Sequence, residues 1–297
     1  PVTVTLVQTY RSSHCYEVTF NDYLTICGDL KLALATEDMR YRMRSDKYKG
    51  RFAFRRPLVT KTVEQLLDEP LVSERGRKKY SVPTTQPIQL PHQTLPVPPF
   101  LFGFWFFNRR KSGVMLPSIG NRDFILQKFQ DHGYKVTEKD IRRTGERNFT
   151  TTPKVVSHLV PNIPTNIPNN YLLASAEQRF ELLQGILYSK SRTFNQKSQQ
   201  FRFTNKSKLL TSQIQYLAES LGCKTKVEFN EQHKHYTVYI RTKMQIFPQQ
   251  IVNPHAKHYS RRYITQIAQL PDQLCVHIET DGPDHTILVG EGFISCL

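Results

Sequence analysis

Two nine-residue stretches of this chain read as one apolar helix written twice, each with glycine in third place: Leu101-Phe102-Gly103-Phe104-Trp105-Phe106-Phe107-Asn108-Arg109 and Leu183-Gln184-Gly185-Ile186-Leu187-Tyr188-Ser189-Lys190-Ser191. A glycine inside a helix costs backbone entropy and packs no side chain of its own. Two of them at matching positions are read as the point where two helices approach with nothing between their backbones. The chain must then bring two distant stretches into direct contact.

Around these helices the pattern changes twice. From Val2 to Leu34 it alternates, with Val2, Val4 and Leu6, then Tyr16, Val18 and Phe20, on one face at period two. This predicts half-buried strands, with Asn21-Asp22-Tyr23 as a turn. Basic residues crowd Arg40 through Arg56, a solvated loop or a phosphate-contacting arm. Thr62 as N-cap, Glu64 in the first turn and Leu66-Leu67 on the apolar face predict a short helix. Pro83, Pro87, Pro91, Pro96, Pro98 and Pro99 exclude helix interior and central strand, so the segment from Tyr80 to Pro99 reads as an extended linker. A helix over 124–132, closed by Gly133, and a Pro/Asn stretch over 161–170 follow. Next come a helix over 174–187, a strand over 200–204 and a helix over 206–222 with Leu209, Leu210, Ile214, Leu217 and Leu221 on one face. Lys224 to Phe229 and Tyr236 to Arg241 then form an antiparallel pair. Short strands return over 262–297. An all-β piece at each end with an α/β piece between them predicts an inserted domain, the end pieces closing on each other.

Charge narrows the partner. With 41 Lys+Arg against 25 Asp+Glu the formal net charge is +16, which points to a polyanion, since each neutralised phosphate releases counterions. No basic amphipathic helix of the interfacial kind stands out, so nucleic acid ranks ahead of a membrane surface. The longest apolar stretch, Pro98 to Phe107, is about half of what a bilayer crossing needs, and no signal segment opens the chain. Because it begins with Pro1, methionine removal or a cleaved leader stays open. The five cysteines, Cys15, Cys27, Cys223, Cys275 and Cys296, are odd in number and lack CxxC spacing, so neither a disulfide framework nor a zinc site is indicated. A reducing intracellular compartment, or a phage particle, is expected.

The two glycine-centred stretches resemble the paired signature helices of the LAGLIDADG homing endonucleases, and the β, α/β, β order looks like an intein: a Hint splicing fold interrupted by such an endonuclease, of bacterial or phage type. Cys15 to Asp22 with Asp29 resembles middle Hint strands, Pro99 to Trp105 the opening of the insert, Gln178 to Gly185 its second signature, and Ala218 to Gly222 the helix end after it. Arg261 to Ile264 and Asp284 to Ile294 resemble closing Hint strands. The resemblance implies an α+β fold, a pseudo-twofold αββαββα saddle inserted into a partial Hint-like domain. Its implied boundaries are 1–80 for the first Hint-like piece, 81–97 for the linker, 98–255 for the saddle with repeats 98–170 and 171–255, and 256–297 for the closing piece.

That family's chemistry requires residues this sequence lacks. Paired helices in the family end in metal-binding carboxylates that hold Mg²⁺, and here those positions carry Asn108 and Lys190; Asp123, Asp131 and Asp140 lie off the signature helices. Splicing needs a first-residue nucleophile, a helping histidine and a terminal His-Asn pair, where this chain has Pro1, Leu32 and Cys296. Neither catalytic activity nor any metal or cofactor is therefore expected, while Gly103 and Gly185 preserve the helix packing.

By the same resemblance the sheet under the helices lies along nucleic acid, which nominates Arg109, Arg110, Lys111, Arg142, Arg143, Arg147, Lys190, Arg192, Lys197, Arg202, Lys206, Lys224, Lys226, Arg241 and Lys243. Phe201, Phe203, Tyr236 and Tyr239 interleave with these charges as core or as base-stacking residues, core packing being the commoner role. His233, His235, His255 and His258 are read as surface or phosphate-proximal residues. The expected function is a catalytically inactive, nucleic-acid-binding structural component of a nucleoprotein assembly such as a virion, a ribosome or a transcription complex, contacting DNA or structured RNA and other proteins, with no membrane. A residually active DNA endonuclease and a purely protein-binding subunit are the alternatives.

Overall fold

The last strands of the chain pair with the first. In the computed structural model, which describes residues 3–38, 43–44, 54–55, 58–110, 113–115, 122–134, 136–140, 147–151, 164–189, 194–195, 200–248, 250, 261–282 and 287–296, the chain opens with β1 (Val4–Ser12), β2 (Cys15–Phe20), β3 (Thr25–Asp29), β4 (Ala33–Asp38), β5 (Met43–Arg44), β6 (Phe54–Arg55), β7 (Leu58–Thr62), α1 (Val63–Leu67) and β8 (Tyr80–Pro83). The middle holds α2 (Pro99–Asn108), β9 (Arg109–Arg110), β10 (Gly113–Met115), α3 (Arg122–Asp131), β11 (Val136–Asp140) and β12 (Arg147–Thr151). It continues through α4 (Asn169–Leu172), α5 (Ala176–Tyr188), β13 (Phe194–Asn195), β14 (Gln200–Asn205), α6 (Lys208–Glu219), β15 (Lys224–Asn230) and β16 (His235–Arg241). The chain closes with β17 (Arg261–Leu270), β18 (Gln273–Thr280), β19 (Ile287–Val289) and β20 (Ile294–Cys296). Pro1–Thr85 with Lys257–Leu297 forms one compact unit and Gln86–Ala256 the other.

The first unit is built on a sheet of order β19-β20-β4-β8-β17-β2-β3, with β7 added to β4. Strand β17 joins its parts: Arg261 to Tyr263 pair with β8, and Ile264 to Leu270 pair with β2. One face is closed by Val18, Phe20, Ile26, Leu34, Tyr80, Val82, Ile264 and Ile294 together with Val63 and Leu66 of α1, each burial contributing roughly 1.5–3 kcal/mol. Thr62 caps α1 in a reciprocal box with Gln65 (3.1 and 3.2 Å), and of the two leucines only Leu66 turns inward.

Two expectations are corrected in this unit. Tyr80 to Pro83 is a central strand rather than linker; Pro83 is tolerated because it sits at the strand end, opposite Arg261. The alternating stretch at the N-terminus is not half-buried either. Among the described residues strand β1 pairs only with β18, as a two-stranded ribbon, and Val4, Leu6 and Val7 are exposed.

The turn after β2 carries a charge inward. Tyr23 takes a left-handed conformation (φ 67°), and Asp22 is buried against Arg262 of β17, Oδ2 to Nε 3.0 Å, with both side chains at most 2% exposed. A buried pair contributes little over an apolar one, but losing one partner strands the other. Arg262→Leu is therefore expected to destabilise this unit by about 3–5 kcal/mol in denaturant unfolding, and Asp22→Leu on top of it should recover much of the loss.

The second unit repeats itself. Each half runs helix, two strands, helix, two strands: α2-β9-β10-α3-β11-β12 and α5-β13-β14-α6-β15-β16. The sheets have orders β11-β12-β10-β9 and β13-β14-β16-β15, so each half, counted in its own strands, is connected in the order 1-2-4-3. The stretches where a closing helix of the expected αββαββα pattern would follow β12 and β16 fall largely outside the described residues. Gly133 (φ 75°) and Gly222 (φ 79°) end α3 and α6 in left-handed turns. Along α6 and the turn that follows it, Leu210, Ile214, Leu217 and Leu221 keep the 4-3-4 spacing of one stripe, whereas Leu209, a step of ~100° off it, is 56% exposed.

The proline-rich segment ahead of α2 is part of this unit from Gln86 onward. Prolines cannot supply ladder donors, and side chains replace them. The Gln178 amide accepts from the Gln93 backbone N–H (2.9 Å) and donates to its carbonyl (2.7 Å). Tyr171 does the same at Val97, accepting at 3.2 Å and donating at 2.8 Å. Fully buried Arg179 donates to the carbonyls of Ala174 (2.9 Å), Ser220 (3.1 Å) and Ile88. Burial lowers the Arg179 pKa, yet its charge-assisted bonds hold three separate segments together.

Candidate nucleic-acid interface

Helix α2 is apolar all round, and Pro99 through Phe106 are buried, so it must be covered on every side. Its closest neighbour is α5, and the crossing is reciprocal. A Cβ on Gly103 would lie 2.5 Å from the Leu182 carbonyl oxygen and 3.1 Å from the Ile186 nitrogen. A Cβ on Gly185 would overlap the Phe100 carbonyl and come within 2.9 Å of the Phe104 nitrogen. On an open helix surface Gly→Ala stabilises by roughly 1 kcal/mol. Here Gly103→Ala and Gly185→Ala should each destabilise by about 1–3 kcal/mol in thermal or denaturant unfolding, so the sign of the change alone tests the crossing.

The C-terminal ends of the pair are aromatic. Tyr188, the last residue of α5, packs against Phe100 (5.6 Å), Phe124 (5.0 Å) and Phe247 (4.5 Å). Among the described residues its buried hydroxyl meets no hydrogen-bond partner, and burial pushes its pKa up. Asn108 ends α2 with a buried Nδ2, which also meets no partner among the described residues. Lys190 lies outside the described residues, as do Pro1, Lys111, Arg142, Arg143, Arg192, Lys197, His255 and His258.

Sheet register places the remaining nominees. In β14, β16 and β15 the rows Phe201–Ile240–Thr225 and Phe203–Val238–Val227 face the core, where Phe107 meets Phe203 edge-on at 5.1 Å. Side chains alternate along a strand, so the opposite face carries Gln200–Arg241–Lys224, then Arg202–Tyr239–Lys226, then Thr204–Thr237–Glu228. Arg202 is exposed, and Arg241 and Tyr239 are half-buried. Lys226 is tied to Glu228 (2.6 Å), and that hydrogen bond holds the Glu228 carboxyl below the usual carboxylate range, with Tyr239 and Arg202 acting the same way.

Not every nominated cation is equally presented. Lys224 shares the outer row but is buried, while Lys206 and Lys243 are exposed in turns flanking β14 and β16. Arg109 and Arg110 form β9, opposite Val114 and Gly113, and Arg147 begins β12, opposite Asp140. Phe201 and Phe203 are core, as their alternation with Arg202 requires; Tyr236 packs on Phe229 at 4.6 Å, leaving Tyr239 as the aromatic residue among the outward cations. His233 and His235 stack at 5.8 Å by the β15–β16 turn. Among the described residues no three His, Cys, Asp or Glu side chains are grouped as a metal site requires. Glu228 and Gln200, both on the outer face, were not nominated from sequence; strand register alone reveals them.

No family model and no curated protein matches the chain. Among solved structures, a variant of I-DmoI in complex with its target DNA in the presence of Mn is similar over 49% of this chain and 86% of its own, at 10% identity and a TM-score of 0.34. I-DmoI in complex with DNA and Mn matches 62% of this chain and 88% of its own, at 12% identity and 0.30. Mesophilic variants of the homing endonuclease I-DmoI match 49% and 88%, at 9% identity and 0.33. Likenesses of that degree carry no weight for function; the repeated strand order and the glycine crossing stand on their own geometry.

Proposed function

We propose that the second unit binds nucleic acid, DNA or structured RNA, through the outer face of the β13-β14-β16-β15 sheet, and does so without cleaving it. The observation that carries this reading is the outward row Arg202–Tyr239–Lys226 with Arg241 in the next row, three cations about one aromatic ring, on a chain of net charge +16. Cations at strand spacing match a phosphate backbone, and the ring offers a stacking platform. Glu228 acts as the resident counterion of Lys226 and must give way, or point aside, when phosphate arrives.

Loss of catalysis is supported by the chemistry of the helix ends. Asn108 presents a neutral amide where a hard cation wants a carboxylate, and Lys190, at the matching sequence position, would repel it. The first unit is read as the remnant of a Hint-like fold, supported by its discontinuous sheet, and the whole as a retained component of a nucleoprotein assembly.

Titration of labelled duplex and hairpin probes is expected to show tight binding at low salt that falls steeply as salt rises. Arg202→Ala should weaken binding across sequences and reduce the slope of log K against log salt by about 1. No binding at low salt, or none of it lost in Arg202→Ala, would contradict the reading. In a plasmid-nicking assay with Mg²⁺ or Mn²⁺ the natural chain should be silent; cleavage by it would refute the non-catalytic part, whereas cleavage gained only in the Asn108→Asp, Lys190→Asp double variant would support it.

A further inference from the structure

Four of the five cysteines line one cavity of the first unit. It encloses about 420 Å³ and is bounded by Cys15 of β2, Cys27 of β3, Cys275 of β18 and Cys296 of β20, with Tyr10 donating to Asp29 (2.7 Å) in its wall. Cys15 Sγ and Cys275 Sγ are 3.2 Å apart, although the residues are 260 positions apart in sequence, and a disulfide requires about 2.05 Å. Their strands carry the two thiols to one corner: Cys15 faces Leu270 of β17 across the ladder, and Cys275, just past the β17–β18 turn, faces Tyr10 of β1. Cys15 is buried and Cys275 partly exposed, so one thiol of the pair is open to a small reagent while the other waits behind it.

We propose that Cys15 and Cys275 are a modification site that closes to a disulfide when the protein meets a low-molecular-weight disulfide, stapling the β1–β18 ribbon to β2. In the first step the Cys275 thiolate attacks one sulfur of the reagent, forming a mixed disulfide and expelling one reagent thiolate. Cys15 then attacks the Cys275 sulfur, forming the Cys15–Cys275 bond and expelling the second. The two thiol protons end on the two reagent thiols; the protein is oxidised by two electrons and the reagent reduced by two. Burial, with help from the Cys15 contact, raises the Cys275 thiol to about 11, so little of it is thiolate at neutral pH and the first attack quickens as pH rises. Cys296 is buried, whereas Cys275 is partly exposed, so a reagent reaches Cys275 first. This inference is independent of how the second unit functions.

The full chain is incubated with oxidised glutathione, alkylated, digested and mapped by mass spectrometry. The expected result is a linked Cys15–Cys275 peptide pair, loss of two of the five free thiols, and a melting transition of this unit raised by roughly 5 °C or more, all reversed by dithiothreitol. Cys27→Ser should behave the same way. Cys275→Ser, at a partly exposed position that leaves the buried Cys15 site filled, should give neither link nor rise. Full alkylation of both cysteines, glutathione retained on either one alone, or a link between a different pair would overturn the proposal.

Discussion

Helix backbones come into contact only where side chains are absent, and in this protein the absence is reciprocal. Gly103 of α2 meets the α5 backbone at Leu182 and Ile186, while Gly185 of α5 meets the α2 backbone at Phe100 and Phe104. Each glycine costs roughly 1 kcal/mol of helix propensity relative to alanine, a cost offset only by the close approach. Because the crossing is the same from either side, each half of the second unit leaves it with the same connectivity. The four strands of each half then find the same 1-2-4-3 order. The outward face of the second sheet, with Arg202 and Arg241, depends on that crossing, since its inward face is filled by Phe201 and Phe203 packing toward the helices.

Side-chain amides do for the extended segments what a ladder does for strands. Gln178 serves the Gln93 backbone, and Gln213 pairs with both polar groups of Ile167, accepting at 2.9 Å and donating at 2.8 Å. Gln184 donates to the Ile246 carbonyl at 2.8 Å, and the Ile246 nitrogen donates to Gln250, also at 2.8 Å. Buried backbone groups must find partners, and proline-rich stretches cannot find them in a sheet. One Gln side chain can both donate and accept, so it satisfies both backbone groups of a single residue.

The helices were legible because they depend on local pattern: the glycine-centred pair, the Thr62 cap and the Leu210–Leu221 stripe can all be read along a few turns. What failed to read was long-range. The prolines before α2 spoke for a linker, and nothing near them reveals that Arg179 and Gln178, some ninety residues on, would dock them. Likewise Val4 and Leu6 alternate as a half-buried strand does, but burial depends on what covers β1, and among the described residues it pairs only with β18. The basic site was half legible. The family resemblance nominated Arg202 and Lys226, but that Glu228 pairs with Lys226, and that Lys224 is buried, follows only from the folded sheet of β15 on β16.

An aromatic ring set among cations on a sheet whose other face is solid core turns outward, on the side proposed to meet nucleic acid. Hydrogen exchange of the full chain, measured with and without a short duplex at low salt, tests this most directly. The account predicts added protection concentrated on β14, β15 and β16, with α2 and α5 unchanged because their crossing is already closed. Protection confined to other strands, or no change at saturating duplex, would contradict it.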